Sequence, residues 1–203
     1  MIWLTRITIP QREALKLGLT SCYAWHQLSW KCFPERPNSK RDFLLRVDQI
    51  SEKESVQMYV LSQHQPVRPM NLSEDWWESK PVREEFLCFQ KYRFSLKANP
   101  TKIISEGGRK IRQAILDREG QIEWLLRKAE QSGFAIDQAD LVHIKKAGEH
   151  RIRCGRNSAL CIGFNFEGIL TVTDREKFSR AFISGIGKSK AFGFGMLMVI
   201  PMN

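Results

Sequence analysis

Tyr23 and His26 are the two side chains whose types and spacing best suit proton-transfer chemistry. On a helix, residues three positions apart lie about 60° from each other on one face. An imidazole titrates near neutral pH and can act as a general acid or a general base, while a phenol can orient it or contact a phosphate. The spacing alone leaves open the ordinary alternative, in which both side chains only take part in packing.

A glycine-rich stretch with two lysines occupies residues 185–195. Glycines let the backbone approach a ligand closely, and backbone amides together with lysines suit phosphate oxygens. The residues concerned are Gly185, Gly187, Lys188, Lys190, Gly193 and Gly195. The stretch lacks the Walker A pattern, and a helix precedes it where a dinucleotide-binding loop would follow a strand. The alternative is a connection that only turns the chain.

Two further segments carry clustered positive charge. Basic side chains along an extended ribbon can lie against the phosphates or base edges of a nucleic acid. The first segment, a predicted hairpin, contributes Lys145, Lys146, Arg151, Arg153 and Arg156. The second, beside a glycine pair, contributes Lys102, Arg109, Lys110 and Arg112. A solvated, non-binding surface is the alternative for both segments.

The overall charge favours a polyanionic partner, because 32 Lys and Arg outnumber 22 Asp and Glu for a net charge of +10. Five cysteines occur without a CxxC pair, which predicts reduced thiols in place of a disulfide framework. The four histidines form no HxH or HExxH pattern, so no metal site is predicted. No signal peptide and no apolar run of ~20 residues are evident, so we expect a cytoplasmic protein without a membrane partner.

The pattern of apolar residues predicts the elements that must position these side chains. Predicted strands are 2–9, 42–50, 55–63, 91–100, 141–148, 159–173 and 196–201. Predicted helices are a stretch that ends near Phe33 and restarts at Thr20 or Ser21, a short acidic helix at 73–79, a helix at 113–133 divided near Gly120, and 174–184. A linker is predicted at 101–112.

This order indicates an α+β fold made of two tandem ferredoxin-like (RRM-like) βαββαβ domains with antiparallel sheets. The predicted domains are residues 1–90, which carry the helix with His26, and residues 91–203, which carry the basic hairpin and the glycine-rich stretch. A single larger α+β domain is the alternative. The RNA-binding motifs of an RRM sheet are not evident, so the sheet face is not the first candidate for a binding site.

Several blocks make the chain resemble the CasE-type CRISPR RNA endoribonucleases of type I-E systems. They are IWLTRITI (2–9), YAWH (23–26) leading to Phe33-Pro34, FLLRVD (43–48), YRFSLKANPTK (92–102), and LTVTD (170–174) with GIGKSKAFGFGMLMV (185–199). The resemblance covers nearly the whole chain, and the last block is its most specific part. One departure is Gln27, where many members of that family carry a basic residue.

The resemblance implies metal-independent cleavage of precursor CRISPR RNA within each repeat hairpin, without a cofactor, and retention of the product in the Cascade complex with its other subunits. It matches the family's catalytic histidine to His26 and its nearby tyrosine to Tyr23, and it matches the family's glycine-rich loop to residues 185–195. Whether His26 acts as base or acid stays open. Two other functions also stay open: a non-catalytic RNA-binding module, and an assembly subunit whose charge is incidental.

Overall fold

The first half of the chain builds a four-stranded antiparallel sheet. The computed structural model describes residues 1–36, 40–50, 54–154 and 157–202. The strands are β1 (Ile2–Pro10), β2 (Phe43–Ile50), β3 (Ser55–Ser62) and β4 (Trp77–Val82), in the order β2-β3-β1-β4. This is the strand order of a ferredoxin-like unit, in which the first and third strands are central.

Two helices connect β1 to β2. They are α1 (Gln11–Lys16) and α2 (Cys22–Lys31). α2 begins where the sequence predicts a fresh start, because the Ser21 hydroxyl accepts a hydrogen bond from the amide of Ala24 at 3.2 Å. Trp25 and Leu28 of α2 are buried in a core with strand residues that include Met58, and this packing fixes the helix on the sheet.

The predicted acidic helix at 73–79 is wrong. Only a single 3₁₀ turn, Glu74–Trp76, forms there, and the chain then enters β4. β4 pairs with β1 from Trp77, opposite Ile7, to Val82, opposite Ile2. The free edge of β1 supplies hydrogen-bond partners that outweigh the local helical pattern, and Pro81 is tolerated because β4 is an edge strand.

The second half of the chain repeats the same strand order. Its strands are β5 (Lys91–Ala98), β8 (Phe134–Ile136), β10 (Asn157–Val172) and β11 (Leu197–Met202), arranged β11-β5-β10-β8. A long strand, β9 (His143–Cys154), pairs with β10. The predicted α+β class with two antiparallel ferredoxin-like sheets is therefore confirmed.

The predicted linker at 101–112 is also wrong. It is a separate two-stranded hairpin of β6 (Thr101–Glu106) and β7 (Arg109–Ala114), which turns at two glycines with positive φ. The helix predicted from 113 begins later, as α3 (Arg118–Gln131), and it is continuous. Gly120 does not divide α3, because its amide donates to the capping carboxylate of Asp117 at 2.7 Å in the first turn. The last helix, α4 (Arg175–Ser184), follows Asp174 as predicted.

The two halves share part of their packing. One core lies between α2 and the first sheet. The other lies among α3, α4 and the second sheet, and it includes Leu44 and Leu61 from the first sheet. One face of the first sheet is therefore covered by the second half of the chain. Within the described ranges, the helices do not have the length and apolarity to cross a membrane.

Candidate functional site

His26 lies half-buried on α2, with one ring nitrogen hydrogen-bonded and the other buried. Its Nε2 accepts a hydrogen bond from the indole Nε1 of Trp30, one helical turn later, at 3.1 Å. Its Nδ1 is buried and makes no hydrogen bond of standard geometry to the described residues, although the backbone of Ala191 lies close enough to act on the ring. Burial lowers the pKa of His26, the charge of Arg41 lowers it further, and the backbone of Ala191 opposes the shift. Burial and the charge of Arg41 therefore favour the neutral form of the imidazole.

The glycine-rich loop, residues 185–195, covers His26. A 3₁₀ turn, Lys190–Phe192, packs on α2 and places the Phe192 ring 6.2 Å from the imidazole. The Gly195 amide donates to the Lys97 carbonyl of β5 at 2.7 Å, and the Ile186 amide donates to the Gly195 carbonyl at 2.8 Å. These bonds close the loop and join it to the second sheet. Histidine and loop come from opposite ends of the chain and meet here.

Glycine is required at one position of this loop on steric grounds. Gly195 has φ +86°, a left-handed conformation that L side chains rarely adopt. A Cβ there would lie 2.5 Å from the carbonyl oxygen of Ile186.

The loop amides of Gly187, Lys188 and Ser189 have no acceptor in the described part of the chain, so they are free to bind an anion.

The two lysines of the loop have different surroundings. The Lys190 ammonium donates to the carbonyl oxygens of Ser184 and Gly185 at 2.8 and 3.2 Å, so it holds the loop together. Burial lowers the pKa of Lys190, and the charges of Arg41, Lys188 and Lys128 lower it further. Lys188 is exposed. Lysine and arginine side chains therefore converge at this loop, which is the electrostatic setting that a phosphate group requires.

Tyr23 does not contact His26. Its side chain is 64% exposed, and no partner for its hydroxyl occurs within the described residues. Tyr23 and His26 share one side of α2, as the spacing predicts, but Phe192 and Trp30 are the rings near the imidazole. Tyr23 and His26 thus lie on the same side of the helix, but no hydrogen bond joins them.

The basic patch predicted at 102–112 lies on the β6–β7 hairpin, near the start of α3. Its four predicted residues, Lys102, Arg109, Lys110 and Arg112, are all exposed. Lys102 and Arg127 line a shallow pocket with Trp124 of α3. The far edge of the same indole meets Gly187 of the loop, where an added Cβ would be 3.2 Å from Trp124 Cζ2. α3 thus joins the hairpin to the glycine-rich loop through one buried tryptophan.

The predicted basic residues near 145–156 lie on β9. Lys145 and Lys146 are exposed and line a cleft of about 850 Å³, whose other walls include the start of α2, β2 and Phe192. Lys146 is paired with Glu149. Arg151 and Arg153 belong to β9, but their side chains lie outside the described part, and so does the whole of Arg156. Among the described side chains of this group, Lys145 and Lys146 therefore line the cleft beside the loop.

Sequence reasoning missed two residues that act on His26. Trp30 is four residues after His26, so helical spacing could have revealed it. Arg41 could not have been found this way, because it precedes β2 and reaches the site only through the fold. No group of three or more His, Cys, Asp or Glu side chains in the described ranges is arranged to hold a metal ion.

A family model described as "CRISPR associated protein" matches residues 2–201. The chain belongs to this family. The Cascade subunit CasE of Escherichia coli K12 is 26% identical over 189 residues, which cover 89% of this chain and 92% of that protein. The CRISPR-associated endoribonuclease Cse3 of Thermus thermophilus is 27% identical over 218 aligned positions, which cover 98% and 100%.

A solved structure of Thermus thermophilus Cse3, bound to an RNA that represents a pre-cleavage complex, is similar with a TM-score of 0.77 and 25% identity. The match covers 98% of this chain and 99% of that chain. The Escherichia coli Cas6e structure has the same fold, with a TM-score of 0.72 and 23% identity over 100% of both chains. The family resemblance stated from the sequence blocks is confirmed.

Proposed function

We propose that this chain is an endoribonuclease that cleaves precursor CRISPR RNA within each repeat and keeps the product as a subunit of a Cascade complex. Family membership supports the substrate and the assembly, since relatives are named Cascade subunit CasE and endoribonuclease Cse3. One observation carries the catalytic part. The imidazole of His26, whose neutral form is favoured by burial, lies beneath the glycine-rich loop and beside Arg41.

The reaction needs little from the protein, because RNA carries its own nucleophile. Attack of a 2′-hydroxyl on the adjacent phosphate yields a 2′,3′-cyclic phosphate and releases a 5′-hydroxyl. The protein must align the attacking oxygen, phosphorus and leaving oxygen, move a proton, and offset the charge of the transition state. His26 is assigned the proton transfer, as base or as acid. Arg41 and Lys188, whose charges both act on Lys190, are assigned the stabilisation of the charged phosphorane, and exposed Tyr23 is assigned contact with the RNA.

We assign two paths along which RNA phosphates can leave this centre. The first runs over Lys188 and Lys128 and along α3 to the β6–β7 hairpin. The second runs into the cleft beside Lys145 and Lys146, toward the part of β9 that carries Arg151 and Arg153. A duplex stem on one path and a flanking single strand on the other would place the scissile phosphate near His26. Two domains, residues 1–90 and 91–203, and a cytoplasmic location complete this proposal.

The experiment is cleavage of labelled repeat RNA by the wild type and by His26→Ala, each in EDTA and under single-turnover conditions. We expect the variant to lose cleavage by several orders of magnitude while it binds the RNA with nearly unchanged affinity. Gln27→Ala, on the same helix and exposed, is the matched control and should cleave normally. Undiminished cleavage by His26→Ala would remove His26 from the reaction.

A non-catalytic RNA-binding module is the second candidate, and one observation favours it. Both nitrogens of His26 are engaged or buried, and Tyr23 does not contact the imidazole. If the wild type binds repeat RNA but forms no product over several hours, this second function replaces the first.

A further inference from the structure

Trp30 and His26 are joined by the hydrogen bond that defines which nitrogen of the imidazole carries a proton. The indole of Trp30 can only donate, so Nε2 of His26 must be the acceptor at 3.1 Å. In the neutral ring the proton then belongs to Nδ1. The two rings are nearly perpendicular, at 84°, with centroids 6.3 Å apart. This geometry points the indole N–H at the edge of the imidazole.

The other nitrogen of His26 is not accessible to a substrate. Nδ1 is buried beneath the loop, and the loop residues beside the ring are Ala191 and Phe192. The charged group that acts on His26 from the β2 side is Arg41, and the loop contributes the Ala191 backbone, which favours the protonated ring. A hydroxyl of a substrate can therefore reach the imidazole only at Nε2, where the indole already donates.

We propose that Trp30 is a positioning residue that holds the neutral imidazole of His26 with Nε2 as its acceptor, and that the RNA must displace the indole from Nε2 before proton transfer. The displacement of the indole by RNA rests on the proposed function. The hydrogen bond that orients the imidazole concerns the free protein and does not depend on that function. An imidazolium cannot accept a hydrogen bond at Nε2, so the indole N–H opposes protonation at that nitrogen.

Trp30→Phe separates this role from packing. The indole of Trp30 packs edge-on against Phe43, with centroids 5.0 Å apart, and a phenyl ring can retain much of that contact. The substitution removes the donor. Trp77→Phe is the matched control, because Trp77 belongs to the same core and, in the described part of the chain, its indole has no hydrogen-bond partner.

The experiment combines two measurements on the full chain. Histidine ¹⁵N chemical shifts, recorded against pH, report the tautomer and the pKa of His26 in the RNA-free protein. We expect the Nδ1-protonated tautomer in the wild type and a higher pKa in Trp30→Phe. Single-turnover cleavage, recorded against pH, should show the limb assigned to His26 at higher pH in the same variant. At pH values where His26 is fully in its active form, Trp30→Phe should cleave roughly 2- to 10-fold faster than the wild type. This factor corresponds to the net free energy of one hydrogen bond.

An unchanged pKa of His26 in Trp30→Phe would overturn the hydrogen-bonding role. A raised pKa with cleavage slower than the wild type at every pH would overturn the displacement step. These results are distinct from failure of the proposed function. If His26→Ala cleaves RNA normally while Trp30→Phe raises the pKa of His26, the bond is real and His26 is not the catalytic group. Trp77→Phe should leave the tautomer, the pKa and the cleavage profile unchanged.

Discussion

Arg41 Nη1 donates to the carbonyl oxygen of Lys190 at 2.9 Å and so joins the residue before the sheet strand β2 to the turn that covers His26. The same guanidinium lowers the pKa of His26, after the larger effect of burial. One side chain thus controls both the position of the loop and the charge of the imidazole. Its two effects can be separated, because one needs a donor and the other needs a positive charge.

Arg41→Gln removes the charge and leaves an amide that can still donate to Lys190. We expect the pKa of His26 to rise, because a nearby positive charge no longer disfavours the imidazolium. In the plot of cleavage rate against pH, the limb that reflects the titration of His26 should move to higher pH. NMR titration and single-turnover rates measure both shifts. Arg41→Lys, which keeps a charge, is the control, and an equal shift in both variants would contradict the electrostatic explanation.

Gly163→Ala should destabilise the protein through the glycine-rich loop. A Cβ at Gly163 would lie 2.6 Å from Cε1 of the fully buried Phe194. Overpacking of this kind costs about 1–3 kcal/mol. Thermal or urea unfolding measures the loss. The loss should largely disappear when Gly163→Ala is introduced into Phe194→Leu, and additive losses in that double variant would show that the ring is not the cause.

Asp48→Ala should destabilise the junction between the two sheets. The Asp48 carboxylate accepts from Arg46 Nε at 2.7 Å and lies 3.6 Å from Lys97 Nζ, and those two side chains are only 6% and 13% exposed. Their charges would be left buried without a counterion. We expect a loss of about 2–3 kcal/mol in the free energy of unfolding, below the usual range for a fully buried pair because Asp48 is 26% exposed.

The control for Asp48 is Glu78→Ala, which breaks an ion pair with Arg6 whose members are about half exposed. Its loss should stay below about 1 kcal/mol. Equal losses in Asp48→Ala and Glu78→Ala would contradict a special role for the junction.

Lys188→Ala should weaken RNA binding without altering the fold. Lys188 is exposed on the loop and adds to the positive field at Lys190 and Lys128. Loss of one phosphate contact reduces the slope of log affinity against log salt by about one. Filter binding to repeat RNA at several salt concentrations measures the slope. Lys80→Ala, on the outer strand β4, is the control and should leave the slope unchanged.

Periodicity predicted the elements with strong local signals. The alternation of Tyr92, Phe94 and Leu96 indicated a strand that is buried on one face, and Asp174 marked the start of α4. Trp77–Val82 and the hairpin at 101–114 were missed because they are mostly exposed. Their strand pairing is decided by a partner elsewhere in the chain or by a glycine turn, and not by burial of an alternating face.

The site was only partly predictable for the same reason. Types and spacing identified His26 and the glycine-rich loop, and a helical period could have added Trp30. The contact of His26 with Phe192, and of Arg41 with Lys190, depends on two sheets meeting in three dimensions. No local pattern in a single sequence carries that information.

The covering of His26 by residues 190–192 also bears on how the protein is made. During synthesis the histidine helix leaves the ribosome early, whereas the turn that encloses it is among the later segments to emerge. A nascent chain that extends only through α3 holds the imidazole without its cover, without Lys188 and without the loop amides. The enclosed arrangement around His26 can therefore form only after residues 185–195 have been synthesised.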